Sequence, residues 1–406
     1  MSVSATEQRL CEVIARRRDA LLDDLRLHVG IPTGGANSAG LDESRERFSA
    51  RCMALGATPT LTPGTPRPSW LTMSLDDAAA ESPSPPTALL SRTANRSGLK
   101  LLLSGHLDTV HEPSSPFRSL TLNSDGKTAT GPGCVDMKGG LVIAMAALEA
   151  LDEIGASVAW SFILNSDEET GSYHSDDALR QAGAQHDVGL ALEPALPDGS
   201  LVVERPGSGQ FMLEARGRAA HVGRDFTSGV SAINALSHSV LDAAKIADPA
   251  NGLICSIGRI IGGVAPNVVP DHARAWGNVR YFTAEAESLA AAQLDALASS
   301  GSNLPSVTVH RSFNRPAKPL TPGTQKLADL TRAVATDLGQ TMPFAKTGGV
   351  CDGNNLQAAG CPTIDTLGVR GGGLHTPQEW IDLSSLVERC QLLAILMHRL
   401  SQRESL

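Results

Sequence analysis

Seven side chains capable of metal binding or proton transfer follow apolar runs or glycine-rich turns of this sequence. They are His106, Asp108, Asp136, Glu168, Glu169, Glu193 and His375. Two adjacent glutamates repel each other, so the ordinary interpretation of Glu168 and Glu169 is a solvated loop. The alternative is a site with enough positive charge to hold both. Imidazoles beside carboxylates are suitable ligands for Zn²⁺ or its borderline neighbours.

The elements around these side chains predict an α/β domain with a parallel sheet. Residues 100–103 and 157–165 are apolar runs typical of strands buried on both faces. Between them, a glycine-rich turn at 131–136 opens a long Ala/Leu/Met helix at 138–153. This strand, helix, strand order predicts parallel strands, whose carboxyl ends meet at one edge of the sheet. We therefore expect the seven side chains to gather at that edge.

Glu168 and Glu169 can face one site only if they lie beyond the end of their strand. Adjacent side chains of a strand point to opposite faces of the sheet. We therefore expect the segment from Asn165 to Thr170 to be loop, where the backbone can turn both carboxylates toward one place.

The middle of the chain has a different order of elements. Strands are expected at 210–216, 253–261, 274–282 and 306–311, and helices at 231–247 and 284–298. The resulting β-α-β-β-α-β order is the ferredoxin-like signature. We therefore expect a small domain at 208–314, inserted into a larger α/β domain formed by 1–207 and 315–406. Further helices of the larger domain are expected at 6–30, 41–55, 325–338 and 383–400.

The composition describes a globular protein and argues against nucleic-acid binding. Of 406 residues, 41% are hydrophobic, 19% are charged and only 3% are aromatic, with a formal net charge of -9. Nucleic-acid binding needs a basic face and often stacking rings. The seven cysteines form no CxxC pair, the first residues have no signal-peptide core, and no stretch approaches the roughly 20 apolar residues of a membrane span. We expect a reduced, cytoplasmic protein.

Seven short motifs, in one order along nearly the whole chain, carry a family resemblance. They are GHLDTV (105–110), GPGCVDMKGG (131–140), DEETGS (167–172), ALEP (191–194), AAHVG (219–223), NVVP (267–270) and GGGLHT (371–376). The sequence resembles the zinc aminoacylase and carboxypeptidase G metallopeptidases, which include acetylornithine deacetylases and succinyl-diaminopimelate desuccinylases. The resemblance implies a zinc-peptidase-like catalytic domain with a mostly parallel mixed sheet and helices on both faces. It also implies that the inserted domain serves as a lid or for dimerisation.

The resemblance further implies a site for two zinc ions, although cobalt or manganese would satisfy the same ligands. Asp136 would bridge the two ions. His106 and Glu193 would complete one position, and Glu169 and His375 would complete the other. Two divalent ions would also explain the density of carboxylates, because their charge outweighs the mutual repulsion.

Three residues receive catalytic roles from the same resemblance. Glu168 would be the general base that takes a proton from a metal-bridging water, and Asp108 would accept the N–H that orients the imidazole of His106. His221 would reach the active site of a partner subunit and stabilise the oxyanion, which implies a homodimer formed through residues 208–314. A turn-capping aspartate and a surface histidine are the plainer interpretations of Asp108 and His221.

Substrate recognition is assigned by resemblance to Asn267, Arg280, Gly348 and Gly349. Asn267 would hydrogen-bond the reacting carbonyl or the substrate carboxylate. Arg280 would hold that carboxylate with its bidentate fork, and the N–H groups of the glycine pair would meet the same group. A strand salt bridge is the alternative for Arg280, and a plain turn is the alternative for the glycine pair.

Two cysteines and a lysine beside these motifs need separate interpretation. Cys351 stands where Ser or Thr is commoner in the family, and Cys134 lies two residues before Asp136. Thiolate is a good zinc ligand, yet a small buried apolar role is the expectation for Cys134. Lys138, at the start of a helix, is expected to be a solvated side chain.

The function implied by the resemblance is that of a dinuclear zinc hydrolase. It would cleave the amide bond of an N-acyl amino acid or small peptide beside a free carboxylate. The TGG sequence at 347–349 favours the glutamate carboxypeptidase branch, and thus release of a C-terminal acidic amino acid. An N-acetyl- or N-succinyl-amino-acid deacylase of amino-acid biosynthesis is the near alternative. An aminopeptidase and an inactive metal-containing binding protein are the others, and the presence of Glu168 with all five ligands argues against lost catalysis.

Overall fold

The computed structural model describes residues 3–75, 84–94, 98–299 and 303–406. These residues divide into two compact units. The first unit comprises residues 3–66, 84–94, 98–204 and 320–406, and the second comprises residues 67–75, 205–299 and 303–319. The described part of the expected inserted domain at 208–314 lies within the second unit.

Residues 67–75 belong to the second unit, whereas their place in the chain suggested the larger domain. Two backbone oxygens of this segment accept hydrogen bonds from side chains of a distant strand. Trp276 Nε1 donates to Trp70 O at 2.7 Å, and Arg274 Nη1 donates to Ser74 O at 2.8 Å. Partners about 200 residues apart in the chain leave no local pattern, which explains why the sequence did not indicate this assignment.

The described residues form ten α-helices and eighteen strands. The helices are α1 (Ala5–Arg16), α2 (Arg18–Val29), α3 (Ser38–Ala54), α4 (Lys138–Glu153), α5 (Asp176–Gln185), α6 (Ala232–Ala244), α7 (Ala284–Asp295), α8 (Pro322–Asp337), α9 (Asp352–Ala358) and α10 (Ser384–Ser401). The strands are β1 (Thr58–Thr62), β2 (Thr87–Arg92), β3 (Leu101–His106), β4 (Thr121–Leu122), β5 (Thr128–Thr130), β6 (Trp160–Asn165), β7 (Val188–Ala191), β8 (Leu201–Glu204), β9 (Gly207–Arg216), β10 (Ala220–His221), β11 (Ile254–Gly262), β12 (Val268–Val269), β13 (His272–Tyr281), β14 (Ser306–Arg315), β15 (Phe344–Lys346), β16 (Thr363–Ile364), β17 (Gly371–Gly372) and β18 (Trp380–Asp382).

The first unit is built on a mixed six-stranded sheet in the order β1-β2-β6-β3-β7-β16. Strands β6, β3, β7 and β16 are parallel, and β1 and β2 run antiparallel at one edge. Every residue of β3, β6 and β7 is buried. The expected mostly parallel mixed sheet is confirmed, and its parallel strands place their carboxyl ends at one edge.

Helices cover both faces of this sheet, as expected. Alternation along β3 sends Leu101 and Leu103 into the large core, which also contains the apolar faces of α1, α4 and α10. Leu102, between them, packs with Ile163 into a smaller core completed by α5 and α9. A strand with apolar side chains on both faces is therefore sandwiched between two helix layers, which fixes its carboxyl end rigidly.

The second unit contains an antiparallel sheet in the order β11-β13-β9-β14. The chain order is β9, α6, β11, β13, α7 and β14, which is the β-α-β-β-α-β order predicted from the sequence. Its core is formed by alternate residues of β9, such as Phe211 and Leu213, with residues of α6 and α7. A short ladder of β10 and β12 lies outside this sheet in the same unit.

The helix predicted over residues 6–30 is wrong in one respect, because the structure has two helices there. Helices α1 and α2 meet at Arg17, whose N–H donates to Ile14 O at 3.0 Å. The Arg17 guanidinium donates to Glu149 at 2.9 Å and to Glu153 at 2.7 Å. These contacts with α4 hold the junction, and the apolar periodicity continues across it.

The loop predicted from Asn165 to Thr170 is wrong at its first residue. Asn165 is the last residue of β6, where it pairs with His106 of β3, and its carbonyl accepts a hydrogen bond from Leu107 N at 2.8 Å. The loop begins at Ser166. Residues 166–170 lie outside the strand. Glu168 and Glu169 are therefore both beyond its end, as expected for two adjacent side chains that face one site.

All seven cysteines lie in the described residues and are free thiols, which agrees with the expectation of no disulfide framework. Among the described helices, none is long and apolar enough to cross a membrane.

Candidate metal centre

Five of the predicted side chains form two overlapping groups whose ligand atoms lie within 4.8 Å of one another. One group is His106, Asp136 and Glu193, and the other is Asp136, Glu169 and His375. His106 Nε2 lies 3.2 Å from Asp136 Oδ1, and His375 Nε2 lies 3.5 Å from Asp136 Oδ2. The two oxygens of Asp136 thus face different groups, which is the arrangement expected of a bridging carboxylate.

The sheet places these side chains by ending three adjacent strands at one edge. His106 is the last residue of β3, and Glu193 follows β7 by two residues. Glu169 lies in the turn after β6, whose last residue pairs with His106. Asp136 and His375 come from two loops outside this sheet, the first before α4 and the second between β17 and β18. The ends of strands therefore place His106, Glu169 and Glu193. The two loops place Asp136 and His375.

The charges of the site favour a cation. Burial opposes protonation of His106, but the carboxylates of Asp108, Asp136 and Glu193 outweigh burial and raise its pKa well above the ordinary value. Hydrogen bonds to Asp136 and Glu169 raise the pKa of His375 to about 10. Such raised values mean that the carboxylates attract positive charge strongly.

Two imidazoles and three carboxylates at these distances fit divalent ions of the zinc type. The negative charge that raises the pKa of the imidazoles is the charge that a metal ion neutralises when it displaces their protons. The donor set is nitrogen and oxygen only, which suits zinc and its neighbours better than calcium or magnesium.

Asp108 is fully buried, and its carboxylate accepts hydrogen bonds from the turn that follows β6. Its Oδ1 accepts a hydrogen bond from Glu168 N at 3.1 Å, and its Oδ2 accepts one from Glu169 N at 2.8 Å. His106 Nδ1 lies 2.9 Å from the backbone oxygen of Asp108 and 3.5 Å from its Oδ1. The imidazole N–H, expected to reach the carboxylate, is therefore closer to the backbone oxygen.

The turn carrying Glu168 and Glu169 closes tightly after the strand. Gly171 N donates to Glu168 O at 2.9 Å, and Ser172 N donates to Asp167 O at 2.7 Å. Gly171 has φ 104 and Ser172 has φ 53, both in the left-handed region. Glu168 lies close enough to raise the pKa of Glu169, although burial is the larger cause of that rise.

Glu379 is a buried acid that the sequence did not single out. Its carboxylate is 1% exposed and accepts hydrogen bonds from the backbone N–H groups of Gly133, Val135 and Asp136, at 2.8, 2.9 and 3.0 Å. Only its place four residues after His375 hinted at a role. A glutamate in a polar loop otherwise looks solvated.

The prediction that Lys138 is solvated is wrong. Its side chain is 3% exposed, and Nζ donates to His28 O at 3.0 Å and to Ile31 O at 2.7 Å. Burial lowers its pKa to about 7. The lysine ties the start of α4 to the end of α2, a long-range contact that its position at a helix start concealed.

Cys134 is buried, as expected, and belongs to neither group of ligands. Its thiol lies 3.8 Å from Glu379 O, and burial raises its pKa well above the ordinary value. Cys351 is also buried, at the start of α9. Cys134 packs in the large core, and Cys351 is the N-cap residue of α9.

His221 is the last residue of β10, and Asn267 directly precedes β12, its partner strand in the second unit. Val222 N donates to Asn267 O at 3.0 Å, and both side chains are exposed. Gly223 N donates to His221 Nδ1 at 3.1 Å, which places the proton of the neutral ring on Nε2. The imidazole N–H is therefore directed away from its own backbone.

Arg280 lies on β13 of the second unit, in register with Ser208 of β9 and Arg315 of β14. Its Nε donates to Asn278 Oδ1 at 3.0 Å. Burial and the nearby Arg315 lower its pKa. Within the residues that the structure describes, no carboxylate pairs with Arg280, so the strand salt bridge is not what holds it.

Gly348 and Gly349 lie in an exposed turn of the first unit, after β15. Gly349 N faces Thr347 Oγ1 at 3.4 Å, and a side-chain carbon at Gly348 would meet nothing within 4 Å. Their role as donors to a substrate carboxylate stays a prediction.

The fold and the shared-carboxylate site define a metallo-hydrolase. A family model described as peptidase family M20/M25/M40 matches residues 102–399, and the chain belongs to this family. The match begins at β3, so it spans every residue of the candidate centre. The resemblance carried by the seven motifs is thereby confirmed.

The sequence is similar to a carboxypeptidase and to a desuccinylase over most of its length. Carboxypeptidase G2 of Pseudomonas sp. (strain RS-16) is 28% identical over 96% of this chain and 91% of its own length. A succinyl-diaminopimelate desuccinylase of Methylobacterium radiotolerans is 30% identical over 76% of this chain and 82% of its own. Among solved structures, the M20 family metallo-carboxypeptidase Sso-CP2 from Sulfolobus solfataricus has a TM-score of 0.71 at 15% identity, with 94% of this chain and 99% of that one covered. The structural likeness shows the fold.

Proposed function

We propose that this protein is a two-zinc hydrolase that cleaves the amide bond of an N-acyl amino acid or small peptide beside a free carboxylate. The observation that carries the proposal is the position of Asp136, whose two oxygens lie in two separate groups of ligands. A single ion would need only one such group. Cobalt or manganese would satisfy the same donors.

The ligand assignment follows the two groups. Asp136 is proposed as the bridge, with His106 and Glu193 at one position and Glu169 and His375 at the other. When bound, the ions supply Lewis-acid chemistry, polarising the amide carbonyl and lowering the pKa of water. All other steps belong to side chains of the chain itself.

Glu168 is the proposed general base. It takes a proton from the attacking water and returns a proton to the nitrogen of the leaving amine, so that one carboxylate serves both halves of the reaction. The two hydrogen bonds from the turn to Asp108 support this role, because they fix the backbone of Glu168 relative to the ligand His106. A base needs a fixed distance to the proton that it moves.

His221 is proposed to stabilise the oxyanion in the active site of a partner subunit, with a homodimer formed through the second unit. The imidazole is exposed, and its Nδ1 accepts from Gly223 N, so the Nε2–H is the ring donor left for a group outside its own unit. Asn267, whose backbone oxygen accepts from Val222 N beside the ladder, would donate from its side-chain amide to the reacting carbonyl or to the substrate carboxylate.

The substrate carboxylate is assigned to Arg280, with Gly348 and Gly349 as further donors. Arg280 and Arg315 lie close enough for each charge to oppose the other, and Ser208 lies between them in register. The half-buried Arg280, which pairs with no carboxylate among the described residues, favours an anionic group of the substrate such as a terminal carboxylate. The similarity to carboxypeptidase G2 supports release of a C-terminal amino acid.

A deacylase acting on N-succinyl or N-acetyl amino acids is the second candidate. It is favoured by the similarity to the desuccinylase of Methylobacterium radiotolerans. The two candidates differ in which part of the substrate carries the acidic group: the leaving amino acid in the first, and the acyl group in the second.

A hydrolysis screen, with metal analysis of the same preparation, tests the proposal. The substrates are one N-acyl group joined to glutamate, aspartate, leucine or lysine, and N-succinyl and N-acetyl forms of one neutral amino acid, with amino-acid release measured. We expect about two zinc-type ions per chain and fastest release of an acidic amino acid. Equal rates for leucine and glutamate would refute the acidic specificity, preference for the succinyl series would favour the second candidate, and hydrolysis of amino-acid anilides would indicate an aminopeptidase.

The substitution Arg280→Gln, with Arg311→Gln as control, tests the carboxylate assignment. Loss of the fork should raise KM for an acidic substrate by about 10–100-fold, the range for a charged hydrogen bond. Arg311 lies on β14 and pairs with Asp295 at the surface, so its loss should leave KM unchanged. Equal KM values in the two variants would rule out Arg280.

A further inference from the structure

Glu379 joins the two loops that carry Asp136 and His375. The first loop is residues 131–137, between β5 and α4, and the second is residues 373–379, between β17 and β18. Gly131 N donates to Glu379 O at 3.1 Å, so the loops are already linked by backbone. The carboxylate adds three further bonds to the same loop.

Each oxygen of the Glu379 carboxylate has two donors. Oε1 accepts from Val135 N at 2.9 Å and from Asp136 N at 3.0 Å. Oε2 accepts from Gly133 N at 2.8 Å and lies 3.0 Å from His111 Nε2. The four donors surround a side chain that is 1% exposed. Only a carboxylate has acceptors on both oxygens for this set of donors.

The donor that matters most is the backbone N–H of Asp136 itself. Asp136 is the residue common to both groups of ligands, so the bond from its N–H fixes the backbone of the one side chain on which both metal positions depend. His375 lies four residues before Glu379 on the other loop. The Glu379 carboxylate therefore sets the distance between the backbone of Asp136, which is shared by both groups, and the loop that carries His375.

We propose that Glu379 is a positioning residue for both metal positions, holding the loop of Asp136 against the loop of His375 through its two carboxylate oxygens. The inference rests on the proposed function, since it takes the two ligand groups to bind ions. It differs from that proposal because Glu379 belongs to neither group of ligands. Glu379 acts through the backbone N–H groups of Gly133, Val135 and Asp136. His111 completes the arrangement by donating to the oxygen that also serves Gly133.

The substitution Glu379→Gln separates this role from simple packing. The amide has the same shape, but its NH₂ must face either Val135 N and Asp136 N or Gly133 N and His111 Nε2. In the first orientation two backbone N–H groups lose their acceptor, and in the second Gly133 N loses its acceptor and His111 must change tautomer to remain bonded. A side chain that only filled space would tolerate the change.

Zinc affinity, measured by competition with a chelator of known affinity, is the readout. We expect Glu379→Gln to weaken binding at both positions by about 10–100-fold, the range for residues that orient ligands. The absorption spectrum of the cobalt-loaded protein should also change, because displaced ligands alter the geometry at the ion. At saturating zinc, kcat should fall while KM stays within about twofold, because Glu379 is not among the residues proposed to bind the substrate.

Glu7→Gln is the matched control. Glu7 is 4% exposed and accepts from Ser4 N at 2.7 Å and from Arg399 Nε at 2.6 Å, so it is another buried carboxylate of the first unit with several donors. Its substitution should lower the unfolding temperature but leave zinc affinity and the cobalt spectrum unchanged. A loss of zinc affinity in both variants would attribute the effect to general destabilisation and overturn the proposal.

The outcomes distinguish the positioning role from the proposed function. If the wild-type protein binds no divalent ion, both fall. If the wild type binds two ions and Glu379→Gln binds them equally tightly with the same cobalt spectrum, only the positioning role falls. If Glu379→Gln does not fold, His111→Ala decides: it removes one of the four donors, and we expect about a two- to tenfold loss of zinc affinity. An unchanged affinity in His111→Ala would then overturn the proposal.

Discussion

Asp108 Oδ2 accepts a hydrogen bond of 2.8 Å from the backbone N–H of Glu169. Its other oxygen accepts one of 3.1 Å from Glu168 N. Asp108 lies two residues after His106, the last residue of β3, whereas the two glutamates follow β6. One buried carboxylate therefore fixes the end of one strand relative to the turn after its neighbour, and the candidate ligands His106 and Glu169 share this support with the proposed base.

Asp108→Asn should lower activity by weakening this support. An asparagine oxygen can accept only one of the two N–H groups, and its NH₂ opposes the other. We expect zinc affinity and kcat each to fall by about 10–100-fold, with the larger effect at the position that contains Glu169. Metal content after dialysis against a weak chelator, and kcat at saturating zinc, measure the two effects.

Asp198→Asn is the control for that substitution. Asp198 also accepts a backbone N–H and a hydroxyl, both from Ser200, but in a surface loop. We expect no change in metal content or kcat. If Asp108→Asn behaved like this control, the support would be unimportant for the site.

Glu168→Gln and Glu169→Gln should separate two roles that the sequence places side by side. Without its base, Glu168→Gln should keep both ions and lose about 10²–10⁴-fold in kcat. Glu169→Gln should lose one ion, because Glu169 belongs to one group of ligands only. Metal analysis alongside kcat distinguishes them. Equal metal loss in the two variants would show that the roles are not divided in this way.

Mixing two inactive variants tests whether His221 acts across a dimer. His221→Ala lacks the donor for a partner's site, and Glu168→Ala lacks the base in its own site. A mixed dimer would contain one site with both groups intact, so we expect activity to recover to about a quarter of the wild type when the subunits exchange at random. Each variant alone, at the same concentration, is the control. No recovery despite exchange, followed by native mass spectrometry, would place His221 in the site of its own subunit or outside catalysis.

The sequence predicted which side chains the structure brings together as candidate ligands, because each stands at a strand end or a glycine-rich loop that has a local pattern. His106, Glu169 and Glu193 follow apolar runs that the structure shows as β3, β6 and β7. The bonds that hold these ligands in place left no such pattern. Glu379 meets Asp136 across 243 residues, and nothing in the polar loop around it marks a buried acid.

The same limit applies to Lys138 and to residues 67–75. A lysine at a helix start is normally solvated, and only the approach of α2 to α4 buries this one. Residues 67–75 join the second unit through side chains of β13. Local periodicity thus predicted elements and ligands, whereas contacts between elements decided burial and unit boundaries.

His28 should make the stability of the first unit depend on pH. Its ring is 2% exposed and stacks on Phe48 at 4.2 Å, and burial, aided by Arg51 and outweighing Asp24, lowers its pKa to about 4. The unfolded chain binds a proton at His28 below about pH 6.5, whereas the folded chain does not until about pH 4. Stability is therefore full above pH 6.5 and is lost as the pH falls toward 4.

His28→Phe should remove this part of the pH dependence. The free energy of unfolding of the wild type should fall relative to the variant by about 2 kcal/mol between pH 7.5 and pH 5. Comparing the two proteins at each pH cancels the titration of other groups. Exposed His238, changed to Phe in the same way, should leave the pH profile as it is. Parallel profiles for wild type and His28→Phe would contradict the expectation.

Gly140 of α4 should tolerate no side chain, because the helix approaches the segment before Glu193. A methyl group there would lie 2.2 Å from Leu192 O, far inside contact distance. Gly140→Ala should therefore destabilise the protein by about 1–3 kcal/mol, in spite of the better helix propensity of alanine, and displace Glu193. We expect weaker zinc binding at the position of His106 and Glu193 than at the position of Glu169 and His375. Gly258→Ala, where a methyl group meets nothing within 4 Å, is the control and should change neither stability nor metal affinity. Normal stability and metal content in Gly140→Ala would mean that the loop carrying Glu193 can shift without loss, and that its position is not set by α4.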